Sequence, residues 1–320
     1  MEVIVTYVLL IVGFVFIIKG ASLLVDGASS LAKHLGVSDL IIGLTVVSLG
    51  ATSPELMINV FASIYDRPEL AISNILGNNL INILLILGLA AFIHPLKISK
   101  DVAITEIPLV VLAAVVLGIM SSDALFDTSF QSVLSQIDGL ILIVFFIIFL
   151  YHILRIAHFK RRASKEFRQL GVSKSLIYVF LGFIGLCVGG QWIVNGATEA
   201  AHYFSMSESL MGLTIVAMGT SLPELITTIV AARKKHDGLA VGNIIGSVIF
   251  STFLTLGVTA IIRPVPIQDK DMTSIAMVIV ACFLLYLLVL FKDKPVIKRW
   301  QGASFVALYL GYVIFLITRG

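Results

Sequence analysis

The chain has 320 residues, of which 58% are hydrophobic and 13% are charged, and its mean hydropathy is +1.05. Soluble domains average about 45–50% apolar and roughly 25% charged residues, so the composition excludes an ordinary soluble protein. The net charge of +3 and the pI near 8.8 are too weak to indicate a nucleic-acid surface, and no nucleic-acid partner is expected. The expected environment is the lipid bilayer.

Apolar segments of membrane-spanning length follow one another along the whole chain. A spanning helix needs about 20 apolar residues. The predicted helices cover residues 3–25, 39–65, 70–93, 102–120, 134–156, 174–200, 208–232, 239–262, 272–291 and 299–318. We therefore expect an all-α integral membrane protein with ten transmembrane helices, inserted in the cell membrane as a multi-pass protein.

The basic residues are distributed asymmetrically between the connections. Connections after odd-numbered helices are rich in Lys and Arg, most densely from Arg155 to Lys174, and the others with the C-terminus hold only Arg67, Arg263, Lys270 and Arg319. Cytoplasmic loops carry the excess of positive charge. The basic connection 155–174 is therefore predicted to be cytoplasmic and both termini to lie outside.

The second half of the chain repeats the first at a constant offset of 169 residues. Gly43–Thr45 recurs as Gly212–Thr214, and Pro54–Leu56 recurs as Pro223–Leu225. Because five helices separate equivalent positions, the two five-helix repeats are predicted to have inverted topology, an arrangement typical of transporters. The predicted units are an N-terminal half 1–156 with its repeat at about 39–93, a cytoplasmic connection 157–173, and a C-terminal half 174–320 with its repeat at about 208–262.

Two acids lie deep inside apolar segments, Glu55 and its equivalent Glu224. A carboxylate at mid-membrane costs about 2.5–3.5 kcal/mol, so each needs a partner, a cavity or a function. Each acid follows a proline, which frees the backbone carbonyl four residues earlier. Carbonyl and carboxylate oxygens are the ligands that hard cations prefer. The pattern predicts a cation site at the bilayer midplane.

The helix after each acid carries amides and hydroxyls on one face. The spacing of Asn74, Asn78 and Asn82 is i, i+4, i+8, and Asn243, Ser247 and Ser251 repeat it. These side chains are candidates to face the acids. Small polar residues also serve as ordinary contacts between membrane helices, and that reading remains open for Asn74 and Asn243.

The segments GATSPEL and GTSLPEL, with SNILGN and GNIIGS downstream, resemble the two alpha-repeats of the calcium/cation antiporter superfamily, in its prokaryotic sodium/calcium exchanger branch. The resemblance covers essentially the whole chain. It implies that helices 2, 3, 7 and 8 surround the ion sites, and that helices 1 and 6 slide across them to alternate access.

The resemblance also implies a set of ligands. The calcium site would take the carboxylates of Glu55 and Glu224 and the carbonyls of Ala51 and Thr220. The flanking sodium sites would use Ser48, Ala51, Thr52, Glu55 and Asn78 in one half and Ala217, Thr220, Ser221, Glu224 and Ser247 in the other, with Asn82 facing Ser251 between them. Three positions depart from the usual pattern, which has Thr at Ala51, Ser at Asn78 and Asp at Ser251.

The expected function is therefore transport, by exchange of sodium for calcium, and not enzyme catalysis. Calcium and sodium are expected as transported ions, with no cofactor and no obligatory protein partner. A proton could neutralise the two acids instead of sodium, because burial favours the neutral form of a carboxyl group. Proton/calcium antiport and, more remotely, a cation channel remain alternatives.

Overall fold

The computed structural model describes residues 2–65, 68–100, 102–122, 132–159, 170–203, 217–290 and 295–319. Helices dominate these residues. The helical segments are α1 (Glu2–Leu35), α2 (Asp39–Ile64), α3 (68–93), α4 (Val102–Met120), α5 (Gln136–Phe159), α6 (Val172–Tyr203), α7 (217–233), α8 (Asp237–Ile262), α9 (Asp269–Leu290) and α10 (Arg299–Arg319).

Within the described ranges, eight helices are long and apolar enough to cross a membrane, namely α1 to α6, α8 and α9. The predicted start of the seventh helix, 208–216, falls outside the described residues, so α7 is seen only from Ala217. The protein is thus a helical multi-pass membrane protein. Most predicted helix limits lie within three residues of those observed.

The helices α3 and α8 form the centre of the molecule. In each, 83% of the most apolar stretch is buried, against 22% in α5. Both contain a π-helical stretch, Ile81–Ile86 in α3 and Phe250–Thr255 in α8, at positions separated by the repeat offset of 169 residues. Such stretches widen a helix locally and are frequent at functional sites.

The helix α2 has its π-helical stretch earlier, at Gly43–Val47, and continues through Pro54 to Ile64. The equivalent helix α7 is instead interrupted at Ser221, two residues before Pro223. The two proline-containing helices are therefore distorted in different ways.

Four two-residue strands connect the two halves of the chain. Strand β1 (Leu96–Lys97) pairs with β4 (Val296–Ile297), and β2 (Val133–Leu134) pairs with β3 (Val265–Pro266). Both pairings are antiparallel, and both join a strand before the basic connection to a strand after it. The two halves are therefore interlocked at two places.

The helices α1 and α6 pack against each other along their length through glycines. A Cβ atom on Gly182 would lie 2.5 Å from the backbone nitrogen of Leu24, and one on Gly20 would lie 2.8 Å from the carbonyl oxygen of Gly182. Gly13 and Gly189 make a similar approach one turn pair away. Small residues allow membrane helices to approach this closely, so the glycines set the distance between the two backbones.

The helix α1 is longer than its hydropathy predicts, ending at Leu35 and not at residue 25. Its additional turns are polar and contact the α7–α8 turn, residues 233–237. Lys234 Nζ lies 2.7 Å from Asp26 Oδ1, and His236 Nδ1 lies 2.7 Å from Asp39 Oδ2 at the start of α2. The prediction stopped where apolar residues stopped, whereas these ion pairs stabilise further helix.

Candidate cation site

The two predicted acids are buried and face each other's helices. Glu55 on α2 is 1% exposed and Glu224 on α7 is 0% exposed, and their charges interact. Glu55 Oε1 and both carboxyl oxygens of Glu224 have no hydrogen-bond partner among the described residues. Burying a charge is costly unless it is paired. These oxygens therefore require a cation or a proton.

The second carboxyl oxygen of Glu55 is hydrogen-bonded. Asn78 on α3 donates to Glu55 Oε2 through its amide nitrogen, and Ser251 on α8 donates to the same oxygen at 2.9 Å. The Asn78 amide nitrogen also lies 3.4 Å from Ser251 Oγ. Three helices, α2, α3 and α8, thus meet at this carboxyl group.

The amide oxygen of Asn78 is also satisfied. It accepts hydrogen bonds from Ser221 Oγ on α7 at 2.8 Å and from Asn82 Nδ2 at 3.2 Å. The structure therefore joins five of the sequence-predicted residues in one network: Glu55, Asn78, Asn82, Ser221 and Ser251.

The remaining predicted residues lie on the same helices. Thr52 Oγ1 donates to the carbonyl of Ser48 at 2.8 Å, and Ser48 packs so closely against Gly246 of α8 that a Cβ there would overlap its hydroxyl. Ala51 and Ser247 are buried, and the hydroxyl of Ser247 has no partner among the described residues. Thr220 and Ala217 precede the interruption in α7.

A second pair of contacts, symmetric between the halves, fixes the backbone that carries each acid. Asn59 Nδ2 donates to the carbonyl of Glu55 at 2.9 Å and accepts from Asn74 at 3.1 Å. In the other half Asn243 donates to Thr228 Oγ1 at 2.9 Å and lies 3.5 Å from the Glu224 carbonyl.

Sequence reasoning missed Asn59 and Thr228. The repeat offset could have found them, because Thr228 stands 169 residues after Asn59, as Asn243 does after Asn74. The amides of Asn74 and Asn243 hold neighbouring helices together here, which supports their structural role rather than ion ligation.

The donor set is made of oxygen. Two carboxyl groups and several neutral oxygens converge, and no cluster of three or more His, Cys, Asp or Glu side chains occurs in the described part of the chain. Oxygen ligands of this kind suit hard cations such as calcium and sodium. Transition metals prefer imidazole and thiolate ligands.

A third buried acid lies away from this network. Glu106, at the start of α4, is buried, with one carboxyl oxygen 3.6 Å from His152 Nε2 on α5. The sequence placed Glu106 near a helix start with access to water or in packing, and the structure places it in packing, against a histidine.

Comparisons with known proteins agree with this geometry. A model of the family described as sodium/calcium exchanger protein matches residues 5–155 and 174–318. The chain is 35% identical over 296 residues to the inner membrane protein YrbG of Escherichia coli, covering 89% of this chain and 88% of that protein. It is 28% identical over 323 residues to the sodium/calcium exchanger MaX1 of Methanosarcina acetivorans, covering 90% and 91%.

Among solved structures, the sodium-calcium exchanger NCX_Mj, soaked with 10 mM Na⁺ and without Ca²⁺, superposes with a TM-score of 0.84 at 30% identity, covering 98% of this chain and 99% of that one. The likeness extends over both repeats and over both acids. The chain belongs to the sodium/calcium exchanger protein family.

Proposed function

We propose that the chain is a secondary active transporter that exchanges sodium for calcium by alternating access to a single site at the bilayer midplane. The observation that carries this proposal is the unpartnered state of three carboxyl oxygens, one on Glu55 and two on Glu224, in a buried position. Two negative charges balance one calcium ion or two sodium ions. The two ions would then compete for the same oxygens, and the gradient of one would drive the other.

The proposed ligands follow the geometry and the resemblance to the family. Calcium would bind between Glu55 and Glu224 with the carbonyls of Ala51 and Thr220. Sodium would bind beside it at oxygens of the two halves, namely Ser48, Ala51, Thr52, Glu55 and Asn78 in one and Ala217, Thr220, Ser221, Glu224 and Ser247 in the other, with Asn82 and Ser251 at the middle.

We also propose ten membrane-spanning helices arranged as two five-helix halves of inverted topology. Two features support this organisation: the π-helical stretches Ile81–Ile86 and Phe250–Thr255 occupy equivalent positions, and so do strands β1 and β3. With the basic connection 155–174 on the cytoplasmic side, both termini lie outside.

Proton/calcium antiport is the second candidate. It is favoured by the polar groups that replace acidic and hydroxyl ligands around Glu55: Ser251 and Asn78 both donate hydrogen bonds to this carboxyl group. Fewer anionic oxygens leave fewer positions for sodium. Protons would then neutralise the two acids during the return step.

Uptake of radiolabelled calcium into proteoliposomes distinguishes the two. Vesicles are loaded with sodium, with potassium at the same pH, or with an acidic interior. Uptake that requires internal sodium supports sodium/calcium exchange. Uptake that follows only the proton gradient supports the second candidate, and equal uptake in all three conditions contradicts both forms of coupled exchange and indicates a channel.

A further inference from the structure

The two halves of the site are chemically different, although the helices around them are equivalent. The repeat offset relates Glu55 to Glu224 and Asn78 to Ser247. In the second half, both oxygens of Glu224 and the hydroxyl of Ser247 are without partners among the described residues. In the first half, one oxygen of Glu55 already accepts two hydrogen bonds.

Asn78 is responsible for most of this difference. An asparagine amide offers two donor hydrogens and two acceptor positions. Its nitrogen is directed to Glu55 and Ser251, and its oxygen accepts from Ser221 and Asn82. All four positions are occupied by protein groups, so Asn78 presents no free oxygen to an ion.

The orientation of this amide follows from its neighbours. Turning it by half a revolution would place its oxygen against Glu55 Oε2, which is itself an acceptor, and its nitrogen against the donors Ser221 and Asn82. Both exchanges would remove hydrogen bonds and leave buried polar groups unpaired, which costs about 1–3 kcal/mol for each group. The amide therefore points its N–H groups toward the carboxyl group of Glu55.

We propose that Asn78 is a specificity-determining residue that fills one sodium subsite with its own amide, so that cations enter only between Glu224, Ser247 and the free oxygen of Glu55. The N–H groups of Asn78 carry partial positive charge at the place where a sodium ion would lie beside Glu55 Oε2. Calcium still meets three free carboxyl oxygens. This inference rests on the proposed function, and it predicts a carrier that binds fewer sodium ions than two equivalent halves would.

Direct binding of radiolabelled sodium to the purified full-length protein in detergent tests the inference without requiring transport. Asn78→Ser places in the first half the hydroxyl that Ser247 supplies in the second. We expect this variant to bind about one more sodium ion per protein than the wild type, because a neutral oxygen replaces the amide. Calcium binding should change by less than about threefold, because the free carboxyl oxygens stay.

The mirror variant Ser247→Asn is the matched control. It places an amide beside Glu224 and should lower the number of bound sodium ions, and this readout remains decisive if Asn78→Ser fails to fold. Unchanged sodium binding in the folded variants would overturn the inference, as would loss of calcium binding in folded Asn78→Ser, which would make Asn78 a calcium ligand. The proposed function fails separately, if the wild type shows no sodium-dependent calcium uptake.

Discussion

At the scale of single residues, the decisive feature is the pair of buried carboxyl groups that no protein donor fully satisfies. Each acid is held by its backbone carbonyl through an amide, Asn59 in one half and Asn243 in the other. The side chains are thus positioned by neutral groups while their charged oxygens stay available. Such an arrangement favours reversible binding of a cation, because no competing hydrogen bond has to break at Glu224.

We expect Glu55→Gln and Glu224→Gln each to reduce sodium-driven calcium uptake by more than about a hundredfold, because each removes one of the two charges that balance calcium. The measurement is initial uptake in proteoliposomes, with equal protein recovery by size-exclusion chromatography. Glu106→Gln is the matched control, since this acid is also buried in a membrane helix but contacts His152 instead. Near-normal uptake by either of the first two variants would contradict the site.

The sequence predicted the acids and their neighbours but not the hydrogen bonds among them. Buried charge in an apolar segment is visible without a structure, and so is the repeat that relates Glu55 to Glu224. The direction of the Asn78 amide depends on Ser221 and Ser251, which are more than a hundred residues away in the chain. Side-chain orientation of this kind is fixed only by the packing of four helices.

At the scale of helices, the glycine contacts between α1 and α6 set how closely two long elements approach. We expect Gly182→Val to reduce transport strongly and to lower stability by about 1–3 kcal/mol, because its side chain would overlap the backbone at Leu24. Thermal unfolding and calcium uptake measure the two effects. Gly311→Val on α10 is the control, since a Cβ there meets nothing within 4 Å. Equal tolerance of both substitutions would contradict the packing role.

The ion pairs at the α7–α8 turn hold α1 on one face of the membrane. The repeat-equivalent residues of Asp26 and Lys234 are Asn195 and Tyr65, which cannot form such a pair. We expect Asp26→Asn and Lys234→Gln each to change the apparent calcium affinity on one membrane face, by similar factors. The double variant should add little, because both substitutions break the same contact.

Vesicles with a single protein orientation allow this comparison, with calcium varied on one side at a time. Stability should change by less than about 1 kcal/mol, since both side chains of this pair are partly exposed. Additive effects in the double variant would show that Asp26 and Lys234 act independently, contrary to this expectation.

Helix limits were predicted well where polar residues end an apolar segment, as at Met120 and Ile262. They were predicted poorly for α1, whose last ten residues are polar enough to look like a connection. Hydropathy reports the part of a helix that lies in lipid, whereas hydrogen bonds and ion pairs decide where the helix itself ends. The π-helical stretches in α3 and α8 have no counterpart in an apolar pattern, so the sequence did not predict them.

At the scale of the whole molecule, the two halves are neither independent units nor copies. They share a backbone plan at a fixed offset, and they differ where Asn78 stands opposite Ser247 and where an ion pair closes only one face. A carrier built this way has a symmetric framework for two access states and an asymmetric site that need not treat the two membrane faces alike.

The strand pairs carry one more consequence. Each pair joins one strand from either half, and β2 and β4 both end one residue before the last helix of their half, at Leu134 and Ile297. In two separate copies of a single half, the same contact would form twice across a two-fold axis. The present chain therefore preserves the interface of an ancestral homodimer whose subunits inserted in opposite orientations, later joined by the basic connection into one polypeptide.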